Sequence, residues 1–142
     1  MSFSWGTGSR VRMQGIHPIL TLFADRVLAY SEIDLTIPYR GGFRTAEQQR
    51  KIFLSGASRL NGYDKKSYHQ TGMAIDIVIA GSTIEEMYNV HKLDYLNRIS
   101  KIVWGEMVDE GLNVFGDYEY RMTFGCDWKS FKDRPHYQIK AI

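Results

Sequence analysis

The stretch Ser67–Ala80, SYHQTGMAIDIVIA, decides how the rest of the chain is read. It holds one imidazole, His69, and one carboxylate, Asp76, with the small residues Gly72 and Ala74 between them. Its second half, MAIDIVIA, is rich in Ile and Val and alternates at Asp76, which predicts a β-strand. A carboxylate amid AIDIVI is costly to bury without a partner. That partner is either a metal ion shared with His69 or the cation of an Arg or Lys. Two polar residues cannot decide between them, so the remaining ligand must come from elsewhere in the chain.

Outward from this stretch, the pattern alternates between helix and strand. Upstream, LTIPY reads as a strand broken by Gly41-Gly42. TAEQQRKIFLSG follows as a helix, with Thr45 as cap, Gln48 completing a capping box and Gly56 ending it. Earlier still, PILTLFADRVLAYS reads as a helix with Pro18 at its first position. Residues 57–72 read as a polar loop, and residues 83–93 have no clear period. From Asp94, DYLNRISKIVWGEMVDEG predicts a helix ended by Gly111, burying Leu96, Ile99, Val103 and Met107. Short strand signals lie around Arg121–Phe124 and His136–Ile139. The expected fold is α+β, a small and mostly antiparallel sheet packed with helices.

The totals limit the function. A chain of 142 residues suits one domain, 1–142, and no repeat or linker divides it. A net charge of +2, with scattered Lys and Arg, disfavours a nucleic-acid binder or a metal-dependent nuclease. Cys126 is the single cysteine, so neither an internal disulfide nor a cysteine-based zinc cluster can form. We read it as a small apolar side chain rather than a nucleophile. The opening MSFSWGTGSRVRMQG lacks the apolar core of a signal peptide, and no apolar run is long enough to span a bilayer. Synthesis in the cytoplasm, with any export dependent on other factors, is expected, and so is a monomer without membrane insertion.

A third ligand is available at His136, where the last strand begins in KDRPHYQIKAI. Catalytic zinc takes three protein ligands from His, Asp and Glu and keeps one position for water. His69, Asp76 and His136 could supply them. Pro135 favours an extended Arg134 and a strand start, so Asp133 is expected in the bend just before it. From there its carboxylate can fold over the open metal position, where a general base belongs. His17 precedes a helix-starting Pro and His91 lies in the aperiodic stretch, so neither is read as a ligand.

The pattern S67-x-H69-x-x-G72-x-A74-x-D76, followed by D133-x-x-H136, resembles the D-alanyl-D-alanine metallopeptidase family. Within it, the chain is most similar to phage endolysins that are L-alanyl-D-glutamate peptidases. The likeness includes F43-R44-T45 before a Gln-rich helix and F124-G125-C126-D127-W128 ahead of the last ligand. The resemblance implies a zinc site of His69, Asp76 and His136, one ion per chain, with Asp133 as catalytic base. It implies that Arg44 stabilises the oxyanion and that Ser67 contacts substrate. From the residues alone, Arg44 could instead form a surface ion pair or partner Asp76, and Ser67 could equally be a turn residue. The implied substrate is peptidoglycan, cut between L-Ala and D-Glu in the periplasm, with no separate wall-binding module, lysing a bacterial host. The stretch DWKSFKD is short and carries two lysines, which argues against a calcium switch. The rivals are a D-Ala-D-Ala carboxypeptidase or dipeptidase of the same fold and a non-enzymatic zinc-binding domain.

Overall fold

In the computed structural model, which describes residues 2–142, an early helix without any apolar period comes first. This is α1 (Thr7–Arg12), of which only Ser9 is buried. Next, α2 (Pro18–Tyr30) has Pro at its start and buries Leu20, Phe23 and Val27 completely. Its N-cap is His17, whose Nδ1 accepts from the Ile19 N–H at 3.1 Å. The LTIPY strand is shorter than expected: β1 is only Leu35–Thr36. Then α3 (Ala46–Leu54) carries the expected capping box of Thr45 and Gln48.

The continuous strand expected over MAIDIVIA is broken. Ala74–Asp76 forms β2 and Val78–Ile79 forms β3, and they belong to different sheets. β3 pairs antiparallel with β1, whereas Ile77 donates its N–H to the Pro135 carbonyl at 2.9 Å. Residues 83–93 resolve into α4 (Ile84–Met87) and the first turn of α5 (Val90–Asp109), which starts four residues before Asp94 under an Asn89 cap. The expected stripe of Leu96, Ile99, Val103 and Met107 is buried, and Gly111 follows the helix end with φ +74°.

A hairpin of β4 (Val114–Phe115) and β5 (Tyr118–Phe124) leads to β6 (His136–Ala141). Among the described residues the main sheet is antiparallel, in the order β2-β6-β5-β4. Tyr137 and Ile139 of β6 are fully buried, and the Tyr137 ring lies 5.3 Å from that of Phe23. The α+β expectation therefore holds, with α2 and α5 covering one face of the sheet. No helix among the described residues is long and apolar enough to cross a membrane.

Candidate active site

His69 does not lie in an open loop, as the sequence suggested. It sits on a single 3₁₀ turn, Tyr68–Thr71, closed by a second capping box. The Ser67 hydroxyl accepts from the His69 N–H at 3.2 Å, and Gln70 accepts from the Ser67 N–H at 2.9 Å. Ser67 is buried and its hydroxyl is engaged as a cap, the alternative open for it in the sequence. Asp76 ends β2 and lies directly opposite His136 of β6 in the antiparallel register. Residues so paired present their side chains on the same face at short range. The turn and the two strands bring the imidazoles and the carboxylate together: His69 Nε2 is 3.3 Å from Asp76 Oδ1 and 3.3 Å from His136 Nδ1, and His136 Nδ1 is 3.1 Å from Asp76 Oδ1.

The outer ring nitrogens explain which atoms face inward. His69 Nδ1 lies 2.9 Å from the Gly42 carbonyl oxygen, which can only accept, so this nitrogen carries the proton. His136 Nε2 lies 2.7 Å from Gln138 Oε1, which fixes that proton likewise. With both rings neutral, two lone pairs and a carboxylate oxygen then converge with no proton among them. That is unfavourable unless a cation is shared, and a proton on His136 or a metal ion meets the need. The donor set, two neutral imidazoles and a carboxylate each braced from behind, suits zinc. The charge balance without metal is consistent. Burial alone would raise the Asp76 carboxyl, but the neighbouring His69 and His136 outweigh it and hold it well below the usual range. Burial would lower His136, yet its hydrogen bond to Asp76 and that residue's charge raise it.

Asp133 lies where expected, in the turn before β6. Its N–H donates to the Gly125 carbonyl at 3.0 Å, and its own carbonyl accepts from the His136 N–H at 3.2 Å. The turn packs so tightly on Gly125 that a Cβ there would lie 2.1 Å from the Asp133 carbonyl oxygen, which accounts for glycine in FGCDW. Burial raises the Asp133 carboxyl above its ordinary value, and the charge of Asp76 adds to this. Arg44 is fixed at three points: Nε donates to the Arg40 carbonyl at 2.7 Å, Nη1 to Gln49 at 3.0 Å, and Nη2 approaches Asp76 Oδ2 at 3.4 Å. The Asp76 contact open for Arg44 in the sequence is thus present, and it leaves the guanidinium at the edge of the cleft. Arg40 itself has φ +62°, a strained conformation for a non-glycine residue, and its carbonyl is spent on Arg44.

These groups line one cleft of about 500 Å³, which Arg44, His69, Asp76, Asp133 and His136 share with Tyr88 and Trp128. The Trp128 ring packs against His136 at a tilt of 42°, with centroids 5.2 Å apart. His17 stands apart, capping α2 and packed edge-on to Phe115 at 4.9 Å. Cys126 is half-buried and outside the cleft lining, and burial pushes its thiol up. Sequence reasoning missed four residues here. Gln138 carried a usable signal, since residues two apart on a strand share a face. Tyr88 lay in the aperiodic stretch, while Gln49 and Trp128 fell inside the Gln-rich helix and F124-G125-C126-D127-W128 without a role being read for either.

Comparison with known proteins identifies relatives of the chain. The chain is 31% identical over 135 residues to the peptidoglycan L-alanyl-D-glutamate endopeptidase CwlK of Bacillus subtilis (strain 168), covering 87% of this chain and 73% of that protein. Its fold is similar to the crystal structure of the Serratia marcescens L-Ala D-Glu endopeptidase ChiX, with a TM-score of 0.73 at 22% identity. The overlap takes in 96% of this chain and 90% of that one. The family model described as phage L-alanyl-D-glutamate peptidase matches residues 1–140, and the chain belongs to that family.

Proposed function

We propose that this chain is a zinc endopeptidase that hydrolyses the L-Ala–D-Glu bond of peptidoglycan stem peptides, with His69, Asp76 and His136 as the metal ligands. The observation that carries this reading is the convergence of His69 Nε2, Asp76 Oδ1 and His136 Nδ1 within 3.3 Å of one another at the floor of an open cleft. A zinc ion held there supplies Lewis acidity, lowering the pKa of water to about 7 and polarising a carbonyl. Asp133 takes the proton of the attacking water and hands it to the leaving amine. Asp133 lines the same cleft as the three ligands, which puts its carboxylate within the space that water and substrate enter.

Arg44 is the oxyanion donor in this scheme. Three of the five guanidinium N–H groups are engaged, which leaves two for a carbonyl oxygen gaining charge. Its anchors hold the fork in place before substrate arrives, so little reorganisation opposes the reaction. A non-catalytic zinc site fits less well, because structural sites close with four protein ligands and only three converge here among the described residues.

One hydrophobic core running from Trp5 to Ile139 supports a single catalytic unit, and a monomer is expected. Peptidoglycan lies outside the cytoplasmic membrane, so we infer delivery by another factor and action in the periplasm, ending in host lysis. Mass spectrometry of fragments released from purified peptidoglycan tests the bond cut. The expected products are glycan strands that keep L-Ala, and free peptides that begin with D-Glu. Release of D-Ala or of D-Ala-D-Ala as the main product would replace this reading with the carboxypeptidase or dipeptidase.

A further inference from the structure

The cleft does not end at Asp133. It runs on between the turn after α3 and the loop before β6 into a second hollow of about 530 Å³. Ala57, Ser58, Leu60, Trp128 and Asp133 line both spaces. The wall of this extension carries two cations, Arg59 and Lys132, together with Phe131. The Arg59 guanidinium lies 3.7 Å from the centroid of the Phe131 ring, a stacked arrangement that limits its freedom. Phe131 is 67% exposed and has φ +53°, so a large apolar side chain is held in a strained conformation on the surface. Among the described residues neither Arg59 nor Lys132 has a carboxylate within ion-pair reach. The acid earlier in the same loop, Asp127, is already held by Lys101 at 2.7 Å. Two unpaired cations and an aromatic surface in a concave wall form a setting for a carboxylate.

The chemistry of the bond fixes which carboxylate, and this step rests on the function proposed above. Asp133 must stand beside the leaving amine to protonate it, so the hollow beyond Asp133 lies on the leaving-group side. The first residue on that side is the glutamyl residue. Any glutamyl residue within a peptide uses one of its two carboxyls in the chain and keeps the other free. We propose that Arg59 and Lys132, with Phe131 as the surface on which Arg59 rests, form the specificity subsite for this free carboxylate. The subsite selects an acidic residue after the scissile bond, and it lies outside the zinc ligands, the base and the oxyanion donor.

The test uses two synthetic stem peptides that differ only at the glutamyl residue, one with the free carboxylate and one with a carboxamide. kcat/KM is measured for the zinc-loaded wild type and for Arg59→Gln, Lys132→Gln and the double variant. Calorimetry measures binding of the matching product peptides that begin at the glutamyl residue. Wild type is expected to favour the carboxylate by about tenfold to a hundredfold in both readouts, the range for charge-assisted hydrogen bonds. The double variant is expected to treat both peptides as wild type treats the carboxamide, with each single variant in between. An undiminished preference in the double variant overturns the proposal, as does a wild type with no preference in either readout. If wild type fails to cut L-Ala–D-Glu while its charge-selective binding of product peptides depends on Arg59 and Lys132, the subsite stands and the proposed reaction falls.

Discussion

Gln138 offers the sharpest test of the metal centre, because it touches the centre only through His136. Its Oε1 accepts the His136 Nε2 proton at 2.7 Å, which leaves Nδ1 as the inward lone pair. Replacing it with Leu keeps the size and suits the strand but removes the acceptor. The net worth of such a bond is about 0.5–1.5 kcal/mol. His136 is only 7% exposed, so its freed N–H has little access to water, and the cost falls at the upper end. The ring can then also carry its proton on Nδ1, the tautomer that cannot bind metal. One tautomer wrong in ten costs little, but parity or worse adds to the lost bond. Together these give a loss of about tenfold to a hundredfold in zinc affinity, the usual range for partners behind a ligand. Competition against a chromogenic chelator reads this directly, with circular dichroism to confirm the fold. Gln138→Glu is the control: it keeps an acceptor for the same proton and should hold affinity at or above the wild-type level. Unchanged affinity in a folded Gln138→Leu protein would refute the claim that the tautomer is set from behind.

The remaining predictions concern the ligands, the base, acid–base stability and the lone thiol. His136→Ala should lose stoichiometric zinc and activity together, as judged by elemental analysis and peptidoglycan hydrolysis; retained zinc would remove His136 from the ligand set. Asp133→Asn should keep zinc and fold but lose about a hundredfold or more in rate, and near-normal turnover would place the base elsewhere. For the metal-free protein the sign of each shift sets a stability window. The depressed Asp76 carboxyl stabilises the fold above its ordinary value of 3.8 and ceases to do so as pH falls through its lower folded value. The raised His136 stabilises below its ordinary 6.5 and ceases to do so as pH rises through its higher folded value. Urea unfolding without metal should therefore be hardest between about pH 4 and 6.5, while saturating zinc should shift the maximum upward, because the metal needs His136 unprotonated. Equal metal-free stability at mildly acid and alkaline pH would contradict this. Cys126→Ser should leave turnover largely intact, and a folded, zinc-loaded but inactive variant would show that the thiol takes part.

Much of the site was legible because its residues carry local signatures. The box around Thr45 and Gln48 marked the helix beside Arg44, and the spacing of His69 and Asp76 marked a turn running into a strand. The same box logic applied to Ser67 and Gln70 would have found the 3₁₀ turn that holds His69. The break at Ile77 was hidden for a physical reason. Ile75, Ile77, Val78 and Ile79 are all buried, so no change in apolar pattern marks where the chain passes from one sheet to the other. That change is set by distant partners, the Pro135 carbonyl among them. The first turn of α5 was obscured because Val90, His91 and Lys92 are exposed and contribute no periodic stripe. α1 was hidden for the same reason, with Ser9 alone turned inward.

The brace behind His69 reaches further than the ring it holds. The Gly42 carbonyl takes the His69 proton, Gly41 accepts from the Asp76 N–H at 2.7 Å, and the Arg44 N–H donates to the His69 carbonyl at 3.1 Å. On its other side Gly42 lies so close to the end of α1 that a Cβ would come 1.7 Å from the Arg12 carbonyl oxygen. Residues 41–44 thus clamp two ligands and the N-terminal helix in a single stitch. Local opening of α1 would uncover the back of that stitch, so amide exchange at α1 and the off-rate of a metal bound by His69 are expected to rise together. The residence time of zinc would then report on a helix that never touches it.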